Sequence, residues 1–192
     1  MSLKKLYLTL GLMLAVGMQI AGTVPAKADG RRVAGVAPVA AKDLIASATK
    51  EAKASNKAVF VKFTASWCIW CRRLNAALGL MEIQKPFGEN FVYLEIDVLE
   101  RGEKEALENP GGEDYLKQWG GENAGLPFSV ILDKNGKKLA DSNLMPNQKN
   151  IGYPGSDEEI EAFLKLLKKG APRLTEAQQL QISSTLKKIA PK

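Results

Sequence analysis

The stretch Ala58-Val59-Phe60-Val61-Lys62-Phe63-Thr64-Ala65-Ser66-Trp67-Cys68-Ile69-Trp70-Cys71 decides the fold. Its first part is nearly continuous in apolar residues, as in a strand buried at the centre of a sheet. Past it, Cys71, Leu74, Leu78 and Met81 fall at i, i+3, i+7 and i+10, which is one face of a helix running to about Met81. The chain's only two cysteines thus sit where a strand hands over to a helix, with Cys68 in the helix's first turn. Unpaired backbone N–H groups and the helix dipole favour an anion at such a place, so a thiol there ionises more readily. The second cysteine is near enough to close a disulfide on the first.

Three plainer roles compete. A structural staple across so few residues removes little entropy from the unfolded chain. Zinc wants four ligands, and the chain has no third cysteine and no histidine, so no metal is expected. Inert buried thiols fit poorly with a helix start beside Trp67 and Trp70. A redox pair is the favoured chemistry.

The length, 192 residues, suits one domain with additions, and the composition is ordinarily globular. The formal charge is +6. Residues 1–28 contribute Lys4, Lys5 and Lys27 and no acid; without them the balance is 24 basic against 21 acidic residues, about +3. No basic run is interleaved with aromatics, so nucleic acid is not an expected partner. Lys4-Lys5, the apolar run from Leu6 to Ala21 and the small-x-small Ala26-Lys27-Ala28 read as an export signal over 1–28, cut after Ala28. An uncleaved membrane anchor is the other reading, disfavoured by the short run and by Gln19. The periplasm or the exterior is the expected location, where a cysteine pair can be oxidised.

Residues 29–41 read as a linker, 42–170 as the domain and 171–192 as a C-terminal helix. Lys42 to Ser55 has the apolar stripe Leu44, Ile45, Ala48 and Ala52, ended by Asn56. Phe91 to Val98 is a second strand, making a βαβ unit with the first, so the two are expected to be parallel. Glu100 to Asn109 is expected at the surface. Glu113 to Trp119 is a short helix between the pairs Gly111-Gly112 and Gly120-Gly121. A third strand starts at Leu126, and Asn135-Gly136 turns it into an antiparallel partner over Lys138 to Asp141. Asn143 to Gly155 is expected to be a polar loop. Ser156 with Glu159, and Thr175 with Gln178, are capping boxes opening two helices, the second with the stripe Ala177, Leu180, Ile182, Leu186 and Ile189.

This order, with Trp67-Cys68-x-x-Cys71 and Gly125-Leu126-Pro127, resembles the thioredoxin fold over about Lys42 to Lys169. More narrowly it is similar to exported bacterial thioredoxin-like proteins with a Trp-Cys-x-Trp-Cys motif. The resemblance implies an α/β, three-layer fold, a mixed sheet flanked by helices, with the C-terminal helix as an extension. It implies that Cys68 attacks and Cys71 resolves. It implies that Pro127 is a cis-proline facing them, that Leu126 offers backbone hydrogen bonds to a substrate strand, and that Trp67 and Trp70 form part of the substrate surface. Two positions depart from the family. Where many thioredoxins carry a buried acid six residues before the first cysteine, this chain has Lys62. A lysine in an apolar strand is costly unless paired or neutral. Either it lies inside with Tyr93 and Glu95 and serves in proton transfer, or it points to a protein edge. Between the cysteines stand Ile69-Trp70, with no histidine to stabilise the thiolate, which favours a reducing or middling potential. Arg72 and Arg73 partly offset this.

The expected function is an exported thiol–disulfide oxidoreductase acting on protein thiols and disulfides, with no bound cofactor, recycled by a redox partner. The alternatives are an electron carrier dedicated to one enzyme and a non-catalytic peptide-binding module. Membrane contact is expected only through an uncleaved signal.

Overall fold

The computed structural model describes residues 37–190. The expected export signal and its cleavage site lie outside them, as does most of the expected linker. The first strand, β1 (Ala58–Thr64), is buried at all seven positions, including Lys62. It runs parallel to β2 (Phe91–Asp97) and antiparallel to β3 (Phe128–Leu132), which pairs antiparallel with β4 (Lys138–Asp141). The order β2-β1-β3-β4 makes β1 a central strand, as its unbroken apolar run requires.

Strand alternation sends two sets of side chains to opposite faces. Val59, Val61 and Phe63 pack with Ala48 and Ala52 of α1 (Ala41–Ser55) and Leu116 of α4 (Gly112–Gln118). Ala58 and Phe60 face the other way, into a core built by α2 (Ile69–Leu78), α3 (Met81–Asn90), α5 (Asp157–Gly170) and α6 (Glu176–Ile189). The result is the expected three-layer, thioredoxin-like fold. Among the described residues no helix is long and apolar enough to cross a membrane.

Several expectations are corrected. The cysteine helix stops at Leu78, at Gly79, rather than near Met81. Leu80 is extended, and a separate helix, α3, follows with Pro86 inside it. Proline costs that helix one N–H and one bond, but Ile83 and Phe87 bury on either side of it. The surface expected over Glu100 to Asn109 holds a short 3₁₀ turn, Gly102–Leu107, yet Glu100 and Asn109 at its edges are buried. The loop from Asn143 to Gly155 is polar only in its first half, since Ile151, Tyr153 and Pro154 are buried. Along α6 the contact face is Ile182, Thr185 and Leu186; Ala177, Leu180 and Ile189 of the expected stripe are exposed. Both capping boxes form.

Candidate functional site

Thr64 ends β1, and Ala65-Ser66-Trp67 carries the chain to α2. Cys68 is the N-cap of that helix, one position earlier than its first turn, with an extended backbone. Its Sγ accepts a hydrogen bond from the Cys71 N–H at 3.0 Å, as an N-cap oxygen would in its place. Cys68 and Cys71 are joined as a disulfide with Cα atoms 5.3 Å apart. Both are buried in a small apolar cluster with Ala65, against which Leu126 packs.

Glu100, which follows the end of β2, fixes the approach to this pair. Its two carboxylate oxygens accept from the Ser66 N–H and the Ser66 hydroxyl, each at 2.7 Å. Leu99, in a left-handed conformation (φ +55°), turns its carbonyl to accept from Trp67 Nε1 at 2.7 Å. Trp67 is otherwise open to solvent, and the Arg101 guanidinium lies over its ring at 4.2 Å. Trp70, also exposed, carries the Arg73 guanidinium at 4.6 Å and meets Tyr153 with ring centroids 5.9 Å apart. Trp70, Leu126, Ile151, Gly152 and Tyr153 line an open cleft of about 460 Å³ beside the disulfide.

The Leu126–Pro127 peptide bond is cis, and Pro127 is buried. Its loop is held by Asn150, whose Nδ2 donates to the carbonyls of Ala124 (3.1 Å), Gly125 (3.1 Å) and Pro127 (2.9 Å). Asn150 Oδ1 in turn accepts from the Ser142 hydroxyl at 2.6 Å and the Gly152 N–H at 3.1 Å. One amide thus ties the proline loop to the wall that carries Tyr153.

Lys62 lies inside, fully buried, directly under α2. Register sets it opposite Glu95 on β2, and its ammonium pairs with that carboxylate and with Asn75 Oδ1. It also reaches the Cys71 carbonyl at 3.5 Å. Tyr93 completes the group, donating to Asn75 Oδ1 at 2.7 Å and Glu95 Oε1 at 3.1 Å, while Asn75 Nδ2 donates to Glu95 at 2.8 Å. Burial holds the Lys62 ammonium below its ordinary pKa, although Glu95 opposes this. Burial alone would raise the Glu95 carboxyl; Lys62, Asn75 and Tyr93 outweigh it and hold the group below the usual carboxylate range. The Tyr93 phenol is pushed up, first by burial and then by Glu95.

Cys68, Cys71, Trp70, Leu126 and Pro127 are brought together, Trp67 flanks them, and Lys62 sits beneath. Sequence reasoning missed Glu100, Asn150, Asn75 and Tyr153. Only Asn75 carried a signal: it falls one turn beyond Cys71, on the helix flank above Lys62.

A family described as thioredoxin-like matches residues 40–134, which span β1, the Cys-x-x-Cys pair and the proline loop. The fold is thioredoxin-like, and residues 40–134 are similar to that family. The chain is 35% identical over 102 residues to the chloroplastic thioredoxin-like protein HCF164 of rice, covering 52% of this chain and 34% of that protein. It is 33% identical over 131 residues to HCF164 of Arabidopsis thaliana, covering 59% and 45%. The chain therefore spans less than half the length of these curated relatives. Among solved structures, a disulphide isomerase from Xylella fastidiosa Temecula1 aligns at 18% identity with a TM-score of 0.46, covering 79% of this chain and 92% of that one. Within this thioredoxin-like fold the cysteine pair lies at the N-terminus of α2, with Leu126 of the proline loop packed against it.

Proposed function

We propose that this protein is a thiol–disulfide oxidoreductase of the bacterial cell envelope, exported by its N-terminal signal and acting on disulfides of other proteins. The observation that carries this is the Cys68–Cys71 disulfide at the N-cap of α2, packed against Leu126, which with Trp70 lines an open cleft. In the reducing direction the Cys68 thiolate attacks one sulfur of a substrate disulfide. A mixed disulfide forms, and the departing substrate thiolate takes up a proton. Cys71 loses its proton and displaces the second substrate sulfur from Cys68, restoring the intramolecular disulfide. Two electrons and two protons pass to the substrate, and a partner must return them. Leu126 beside Pro127 presents backbone groups to an extended substrate segment, with Trp67 and Trp70 flanking it.

Lys62 is proposed to assist the Cys71 proton transfer as a charge: its ammonium, paired with Glu95 and reaching the Cys71 carbonyl, favours the thiolate that Cys71 forms when its proton leaves. No cofactor takes part; sulfur carries the electrons.

The test is the reduction potential of the pair, measured by equilibrating the protein with thiol buffers. A value nearer the about −270 mV of thioredoxin than the about −120 mV of a strong oxidant supports a reductant. A pair that never exchanges with the buffer overturns the proposal.

A further inference from the structure

The tryptophans that precede the two cysteines each carry an arginine over the ring, Arg73 on Trp70 and Arg101 on Trp67. Among the described residues neither guanidinium donates a hydrogen bond or joins an ion pair. A cation–π contact with a ring leaves the N–H fork of a guanidinium unspent. That fork is the geometry that grips a carboxylate with two parallel bonds. Two such groups, both exposed, are held by the tryptophans that immediately precede Cys68 and Cys71 in the chain.

The neighbouring acids do not cancel it. Glu159, which borders the cleft, is spent on the N–H groups of Gly155 and Ser156. Glu100 is buried and spent on Ser66. Glu103 lies near Arg101, but Lys104 stands with it. The same segment also exposes apolar surface: Ile69 and Trp70 are exposed and Leu126 is partly so, while Arg72 donates to the Ser66 carbonyl.

We propose that this face docks an acidic protein segment, with carboxylates on both sides of the partner's disulfide and an apolar residue next to its cysteine. The carboxylates would meet Arg73 and Arg101, and the apolar side chain would enter the cleft lined by Trp70, Leu126 and Tyr153. The proposal rests on the oxidoreductase function above and names the partner chemistry of that same site.

The experiment measures second-order exchange rates of the reduced protein with three synthetic peptides, by acid quench and chromatography. Each peptide carries one internal Cys–Cys disulfide, flanked by Asp, Ser or Lys. Hydroxyethyl disulfide serves as a small neutral substrate. At low ionic strength the Asp peptide is expected to react about tenfold faster than the Lys peptide, with the ratio shrinking as salt is added. In R73Q/R101Q that ratio falls toward one, while R73K/R101K keeps part of it through charge alone. Exchange with hydroxyethyl disulfide but equal rates for the three peptides overturns the acidic partner and leaves the oxidoreductase standing. Exchange with none of the four overturns both.

Discussion

At the scale of single residues the lysine under α2 is the most consequential substitution in the site. A buried ammonium is tolerated only while its counter-charge and hydrogen bonds hold. E95Q leaves Lys62 charged and unpaired, or forces it neutral. Removing one partner of a fully buried pair costs about 3–5 kcal/mol, and Glu95 is partly open to water, so about 2 kcal/mol is expected, read from urea unfolding at pH 7. K62M removes the other partner; the Glu95 carboxylate left behind is partly open to water and keeps Asn75 and Tyr93 as donors, so a cost of about 1–2 kcal/mol at pH 7 is expected. The pH dependence then separates the two partners. Because the folded Glu95 carboxyl lies below its unfolded value, its contribution is full above the ordinary carboxylate range. It is lost as pH falls through the folded value. Without Lys62 that shift goes, so the acid loss of stability in K62M should be shallower than in the native protein. An equal or steeper acid limb would show that the pair contributes nothing. Strand alternation offered this group beforehand as one of two readings, because Tyr93 and Glu95 share a face of β2; the register then sets Glu95 opposite Lys62. Glu100 and Asn150 were not legible, because their partners Ser66 and the proline loop lie 34 and at least 23 residues away in sequence. No local pattern marks an acid or an amide as buried when the groups that satisfy it come from another part of the chain.

Among elements, the same logic explains which helices could be read. α1 has a clean apolar stripe and a C-terminal Asn56 in the left-handed conformation, and α5 has its capping box. α3 hid behind Gly79 and Pro86, two residues that ordinarily interrupt helices. The chain breaks at Gly79 and Leu80, then resumes a helix in which Pro86 is kept for its buried ring. The far end of α5 shows how closely the layers meet. A Cβ at Gly170 would stand 2.5 Å from Ile131 Cγ2 and 2.8 Å from Phe91 Cε1. Those atoms belong to the sheet, and the ring and branched side chain have little room to yield. G170A should therefore cost about 1–3 kcal/mol through overpacking, despite alanine's better helix propensity. Equilibrium unfolding measures it, and a stabilised G170A would mean that the end of α5 can lift from the sheet at no cost.

For the whole molecule, the two cores on either side of the sheet divide the labour. One face buries α1 and α4, and the other is closed only when α6 packs on α3 and α5. The 3.6-residue period told that a last helix exists and placed Ile182 and Leu186 in its contact face, but it also put Ala177, Leu180 and Ile189 there, because a short amphipathic stripe can be satisfied by either of two neighbouring sets. Thr185, a polar residue, lies in the face and Leu180 lies out of it. Burial of Ile182 and Leu186 beside Leu174 holds the helix down. The disulfide and proline loop, in contrast, are built from α2, the ends of β1 and β3, and the segment ending at Tyr153. Stability and redox chemistry should accordingly separate. I182A removes a fully buried side chain and should cost about 3 kcal/mol, or roughly 6–12 °C in Tm for a chain of this size. Its reduction potential should move by less than about 10 mV, under about half a kcal/mol. A large shift in potential would mean that α6 bears on the cysteine pair through α3, so that the last helix tunes the site as well as closing the core.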